Sequence, residues 1–489
     1  MHGFTKQIFL ASRDCLRQGW YLQHGESTEP TSDADEFRME QGQLIGEQAR
    51  LLCPGGVLVD QRRPSDAARL TARLLADPEV PAIFEAAFQG DGCTTRADML
   101  VRGNGGWTVK EVKSALVTSE PPVELVDDVS YTVMVARKAG LPVARSSLFL
   151  ISRDYRLGMP PQNLFVEIDV TEAVEARLPE FAAKLEQIQA ILSQPEPPPA
   201  SLIPACRSCE FFATECLGHN LEHPITEIPR LHRNRLAALA EQGIFEILSV
   251  PDAFPLSDAQ RIAVASIQTG REYVGPSLSG DLTNVDFPAA YLDFETVATA
   301  IPLYPGVAPY EQVTTQFSVH ICDQPGHVVA HHEFLADPSR DCRRELAENL
   351  LAILGNHGSV IVYHAAFERG QLARLAELFP DLAPGLNVVI ARLVDLEVVI
   401  RRGYYAPAFR GSFSIKRVLP VLVQNLSYKG LPIGDGDTAV AKFARMSLGQ
   451  YDSDQAAEIR SQLLRYCRLD TLAMVELHGK LLEIAAAQP

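Results

Sequence analysis

Over residues 453–486 the apolar positions recur at steps of three and four. Ile459, Leu463, Tyr466, Met474, Leu477 and Leu481 therefore share one face of a predicted helix with Ser453 as its cap, and Asp470 stands in the middle of that stripe. A different pattern appears in AAYLDFETV, a short and mostly apolar run expected of a strand covered on both faces. Asp293 and Glu295 lie two apart in it, so both point to one face. Downstream, two strand-like runs flank Asp-Gln-Pro-Gly and predict a hairpin, with His331 and His332 as ordinary strand residues. The segment SVIVYH reads as a buried strand. It leads into a helix, AAFERGQLARLAELF, with Leu372, Leu375 and Phe379 on one side and Glu368 in its first turn.

Nearer the N-terminus, CTTRADMLVR and GGWTVKEVKS are strand-like runs joined at Asn104-Gly105, a hairpin signature. The first carries Asp98; the second carries Glu111 and Lys113, two apart and on one face. A proline-rich stretch from Pro195 to Pro204 runs into Cys206-x₂-Cys209-x₆-Cys216. Short helices follow, ending at Gly243 and Gly270, with Ser257 as a predicted N-cap. The expected organisation is multi-domain α/β, divided as residues 1–225, a helical segment over 226–285, and 286–489.

Composition sharpens this picture. A chain of 489 residues exceeds one ordinary core. With 46% hydrophobic residues and no run of roughly 18 apolar residues, it is expected to be globular, cytoplasmic and away from membranes. Nine irregularly spaced cysteines argue for metal use or core packing rather than a disulfide framework. The net charge of −17 argues against a broad basic face for nucleic acid, but suits a narrow channel where bound cations offset clustered carboxylates.

Two carboxylates on one face of a buried strand, and a third inside an apolar helical stripe, are costly unless a cation joins them. The three close cysteines have metal-ligand spacing, and a fourth ligand would come from His219 in a zinc site or from Cys15. Cys53, Cys93, Cys322, Cys342 and Cys467 are isolated and read as small core residues.

The Asp293-x-Glu295 strand, the hairpin, the strand–helix junction at Glu368 and the final Tyr466-x₃-Asp470 helix together resemble the DnaQ-like DEDD exonuclease superfamily, in its tyrosine-bearing branch. That resemblance implies an RNase H-like fold with a mixed sheet and 3′→5′ exonuclease activity. It further implies two Mg²⁺ or Mn²⁺ ions held by Asp293, Glu295, Glu368 and Asp470, with Tyr466 orienting the attacking water. The family's second motif is usually Asn-x₃-Phe/Tyr-Asp. Here His364 and Glu368 stand in its place, and Asp395 is the alternative fourth ligand. The stretch GSFSIKRVLPVL resembles a Ser-x-Lys segment of the family and suggests Lys416 and Arg417 as phosphate contacts.

Asp98, Glu111-x-Lys113, one early cysteine and three trailing ones resemble RecB-like PD-(D/E)XK nucleases of the CRISPR-adaptation and AddB type. The resemblance implies a restriction-endonuclease-like domain with one or two Mg²⁺ or Mn²⁺ ions on Asp98 and Glu111, and Lys113 positioning water. It also implies a four-iron four-sulfur (4Fe–4S) cluster on Cys15, Cys206, Cys209 and Cys216, with Zn²⁺ as the alternative. Tyr131 falls near the family's substrate-contact motif. The usual metal-binding His of an early helix is missing, with Gly46 and Glu47 in that region and Glu47 the candidate substitute. The 226–285 segment resembles helix-hairpin-helix-like linkers that touch the DNA backbone, a structural spacer being the other reading. The whole is similar to a bacterial family that fuses these two nuclease modules. The expected activity is hydrolysis of DNA, with RNA the alternative, from a single-stranded end in repair, processing or defence. A helicase or another repair or defence protein is an expected partner. The rival expectation is a nucleic-acid-binding scaffold in which one or both sites are inactive.

Overall fold

The hairpin expected at Asn104-Gly105 is formed. Strand β3 (Cys93–Gly103) pairs antiparallel with β4 (Gly106–Leu116), and Gly103 faces Gly106 across a two-residue loop in which Gly105 takes φ +99°. A computed structural model of the chain describes residues 4–25 and 32–487. They form two compact units, the first made of Met1–Ala200 and Ala298–Glu311, the second of Ser201–Val297 and Gln312–Pro489.

In the first unit the hairpin lies within a six-stranded mixed sheet ordered β1-β2-β3-β4-β5-β6. The other strands are β1 (Val57–Leu58), β2 (Ala82–Gly90), β5 (Val143–Ile151) and β6 (Phe165–Asp169). The β4–β5 pair is parallel and is bridged by the helix Val123–Lys138, which is buried almost continuously from Val126 to Ala136. The N-terminal segment is tied to the sheet. The Phe4 amide donates to the Gly92 carbonyl at 3.0 Å, the Thr94 amide to the Phe4 carbonyl at 2.9 Å, and the Tyr131 hydroxyl to that same carbonyl at 2.9 Å. Residues 298–311 belong to this unit through their own bonds. The Ala300 amide donates to Gln41 Oε1 at 3.0 Å, the Leu157 amide to the Val307 carbonyl at 3.1 Å, and the Tyr310 hydroxyl to the Ser114 carbonyl at 2.6 Å.

The second unit contains a short antiparallel pair, β7 (Tyr273–Val274) with β13 (Tyr404–Tyr405), and a five-stranded mixed sheet. That sheet is built from β8 (Ala289–Val297), β9 (Val313–Gln324), β10 (His327–Leu335), β11 (Val360–Val362) and β12 (Leu393–Asp395). Its order is β10-β9-β8-β11-β12, an antiparallel meander followed by two parallel strands, so β8 is central. The central position explains the near-continuous apolar run around Asp293 and Glu295. The terminal helix Ser453–Ala486 packs on β8 and β9. Its rotation is fixed by buried polar bonds. Gln316 Nε2 donates to the Leu463 carbonyl at 2.9 Å, Thr471 Oγ1 bonds Ser318 and His320 at 2.8 Å each, and His478 Nδ1 bonds the Tyr291 hydroxyl at 2.7 Å.

Three boundaries differ from expectation, the first being that residues 298–311, grouped by sequence with 286–489, belong to the first unit. The terminal helix is capped by Asp452 rather than Ser453, because the Asp452 carboxylate accepts the amides of Asp454 and Gln455 while Gln455 bonds back in a capping box. The cysteine-bearing stretch 201–225, grouped by sequence with the N-terminal domain, packs in the second unit. There Leu202, Cys206, Phe212 and Ile225 join one core with the 226–285 helices and the terminal helix. Gly411 records how close this packing is: it takes φ +78°, and a Cβ there would lie 1.7 Å from the Glu227 carbonyl oxygen. Among the described residues no helix is long and apolar enough to cross a membrane.

Candidate metal centre

Strand alternation puts Asp293 and Glu295 on the face of β8 that meets the terminal helix, and the helical stripe returns Asp470 to the same point. One ligand oxygen from each lies within 4.8 Å of the other two, the only such group of three acids, histidines or cysteines among the described residues. Asp470 is buried, and Asp293 and Glu295 are half-buried. Burial first, then Asp470, Glu295 and Glu368, raise the Asp293 carboxyl well above its ordinary range. Burial followed by Asp470 does the same to Glu295, and burial pushes Asp470 up to about 6.

Glu368 stands outside the close trio but acts electrostatically on Asp293. It lies in the first turn of the helix Ala365–Leu378, 1% exposed, with Oε2 lacking any partner, and burial pushes it up to about 8. An orphaned carboxylate oxygen of this kind is costly unless a cation meets it. Asp395 is placed differently. It caps the helix Leu396–Gly403 through the Val398 amide at 3.2 Å, and it also accepts the His364 and Ala365 amides at 3.3 and 2.9 Å. With its oxygens already engaged, Asp395 braces the start of the Glu368 helix, whereas Glu368 keeps an oxygen without a partner. His364, at the left-handed N-cap of that helix, is exposed and bonds Glu397 at 3.0 Å.

Around the acids lie two groups that sequence alone did not assign to the site, Tyr428 and Cys467, beside the expected Lys416 and Tyr466. The Tyr428 hydroxyl donates to Asp470 Oδ1 at 2.5 Å, and its ring centroid lies 6.2 Å from that of Tyr466. Cys467 Sγ is 3.5 Å from Asp293 Oδ2. Tyr428 sits in an irregular stretch without periodicity to mark it. Cys467 reads in the sequence only as an isolated core residue, and it is buried. Lys416 Nζ rests 5.3 Å from the Tyr466 ring and 5.7 Å from the Tyr428 ring, and its charge favours the ionised forms of Glu295 and Asp470. Its neighbour Arg417 is exposed on the helix Ile415–Leu422. Tyr466 is buried and hydrogen-bonds toward Asp470.

In the first unit, Asp98, Glu111 and Lys113 are brought together on β3 and β4. Asp98 Oδ2 accepts the Val112 amide at 2.8 Å, and Lys113 Nζ lies 3.0 Å from Glu111 Oε1. Burial, followed by Glu111, pushes Asp98 up to about 7. One expectation fails here. Tyr131 is fully buried and bonds the Phe4 carbonyl, so it has no surface to offer a substrate. Glu47 is exposed on the helix Asp33–Arg50.

None of the nine cysteines forms a disulfide. Cys15 lies in the first unit, between the helices Lys6–Asp14 and Leu16–His24. Cys206, Cys209 and Cys216 lie in the second, and they are not among the groups whose ligand atoms all lie within 4.8 Å of one another. Cys206 Sγ accepts the Ile203 amide at 3.4 Å.

Comparison with known proteins finds part of this region, with two of the three converging acids, in other chains. A family described as a domain of unknown function (DUF2779) matches residues 290–414, which takes in Asp293, Glu295, Glu368 and Asp395 and stops short of Tyr466 and Asp470. An uncharacterised protein of Mycoplasma pneumoniae is 27% identical over 204 residues, 38% of this chain and 31% of its own length. One of Ureaplasma parvum is 26% identical over 206 residues, 38% of this chain and 30% of its own length. The matched part thus spans about a third of these relatives.

Proposed function

We propose that residues 286–489, apart from the 298–311 stretch that belongs to the first unit, form an RNase H-like 3′→5′ exonuclease of the tyrosine-bearing DEDD type, in a chain whose first unit is a RecB-like PD-(D/E)XK module. The reading rests above all on one observation: Asp293, Glu295 and Asp470 converge within 4.8 Å, and none of them, nor Glu368, has an ion-pair partner among the described residues. The sheet order, a three-strand meander followed by two parallel strands with Asp293 and Glu295 on its first strand, supports the RNase H-like reading.

The residues fit hard divalent cations. All donors are carboxylate oxygens, and the orphaned Glu368 Oε2 lacks a partner that such an ion would supply. Asp293, Glu295, Glu368 and Asp470 would hold Mg²⁺ or Mn²⁺. The ions would supply activation of water and neutralisation of the leaving 3′ oxygen. The protein contributes the rest. Tyr428 fixes the Asp470 carboxylate, the buried Tyr466 orients the attacking water, and Lys416 supplies positive charge beside the phosphate being cleaved. The substrate class is a single-stranded 3′ end of DNA, with RNA as the competing substrate.

Digestion of 5′-labelled single-stranded DNA and RNA in Mn²⁺ tests this. Asp293→Ala or Asp470→Ala is expected to lower the rate by at least about 100-fold with an unchanged circular dichroism spectrum. Wild-type rates in both variants would overturn the assignment.

A further inference from the structure

The acids of the first unit are neutralised in a way the acids of the second are not. Lys6 Nζ lies 2.7 Å from Glu111 Oε1 and 2.7 Å from Asp128 Oδ1. Lys113 Nζ lies 3.0 Å from the same Glu111 oxygen and also pairs with Asp128 Oδ2. Two ammonium groups and two carboxylates thus close a ring of four ion pairs with no net charge. Glu111 is 1% exposed, and within the ring only its Oε2 has no partner.

Lys6 is not a mobile surface lysine. Its side chain is 22% exposed, and it follows Phe4, which is pinned by backbone hydrogen bonds with Gly92 and Thr94 and by the Tyr131 hydroxyl. It is also the first residue of the helix Lys6–Asp14, where the helix dipole disfavours a cation. The carboxylates it meets account for its place. A divalent ion at Asp98 and Glu111 would have to bind a carboxylate already held by two ammonium groups. Asp98 has one oxygen engaged by the Val112 amide, and no third acid comes within range of the pair among the described residues.

We propose that Lys6 is a built-in counter-ion of the Asp98–Glu111–Lys113 site, competing with divalent cations for Glu111 and holding the first unit's metal affinity low. The inference rests on reading Asp98 and Glu111 as a metal-binding pair, and it does not depend on the activity proposed for the second unit. It makes Lys6 a positioning residue and assigns the two units unequal demands for metal.

Mn²⁺ binding to the full chain, measured by calorimetry and electron paramagnetic resonance, provides the test, with Asp293→Asn and Asp470→Asn introduced to silence the second unit. In that background the Lys6→Met and Lys6→Gln variants are expected to bind Mn²⁺ at least about tenfold more tightly than the Lys6 protein, and Lys6→Arg no more tightly. Melting temperature supplies a second readout that holds even for a weakened fold: Mn²⁺ should stabilise Lys6→Met and leave the Lys6 protein unmoved. Equal, measurable affinity with and without Lys6 would overturn the role of Lys6. Absence of Mn²⁺ binding and of Mn²⁺ stabilisation in every variant would overturn both the proposal and the metal-site reading of Asp98 and Glu111.

Discussion

Glu368 and Asp395 separate two duties that acids at a strand–helix junction can serve. Glu368 is buried with an oxygen that nothing in the protein meets, whereas Asp395 accepts three backbone amides. Glu368→Gln should therefore abolish Mn²⁺-dependent cleavage at little cost in stability, since it removes a repelled carboxylate. Asp395→Ala should cost roughly 1–2 kcal/mol of stability through the lost cap, read by urea denaturation. The reverse split would reassign the fourth ligand. In the sequence both residues are acids near a strand end, and nothing in the pattern distinguishes an acid that caps from one left unpaired. That distinction lies in which amides each meets. Tyr428 was illegible for the same reason, since a loop residue's partner is set by tertiary packing.

The elements themselves were largely written in periodicity. The Asn104-Gly105 hairpin, the β9–β10 hairpin, the helix capped by Ser257 and ended by left-handed Gly270, and the continuous stripe of the terminal helix all follow the sequence pattern. Helix starts were less secure, because Asp452 and Ser453 are both good caps and only the capping box with Gln455 decides between them. Asp452→Ala is expected to cost about 1 kcal/mol in chemical denaturation. Nuclease rate should be unchanged, because the cap is more than four helical turns from Asp470. A large loss of rate in that variant would mean that the whole helix, rather than its acidic face, sets the geometry of the centre.

For the whole molecule, the net charge of −17 has a local counterpart in the buried acids Glu368 and Asp470 of the second unit and the half-buried Asp293 and Glu295 beside them. Glu368 is pushed up to about 8 and Asp470 to about 6, while unfolded carboxylates titrate at about 4. Between those values the native chain binds more protons than the unfolded one. This contribution to stability is therefore complete below about pH 4 and is lost as pH rises toward 8. Chelated protein should melt at a lower temperature at about pH 8 than at about pH 5.5, and Mn²⁺ should raise the melting point more at the higher pH. An equal Mn²⁺ effect at both would count against protons and cation sharing one site. The division into units was the least legible level. Residues 201–225 look by composition like the end of the first domain, and only their burial against the 226–285 helices assigns them to the second.

The fourteen residues between β8 and β9 that complete the first unit also fix an order of events. Ala300 belongs to a small core with Ile45, Ile151, Tyr155 and Leu164, so those four side chains lack one of their neighbours until the ribosome has passed the stretch. A nascent chain must hold that small core without Ala300 while nearly a hundred residues of the other unit are translated. For the same reason the two modules cannot be exchanged between genes by a single cut: a crossover at Ala200 would leave part of one module behind in the other.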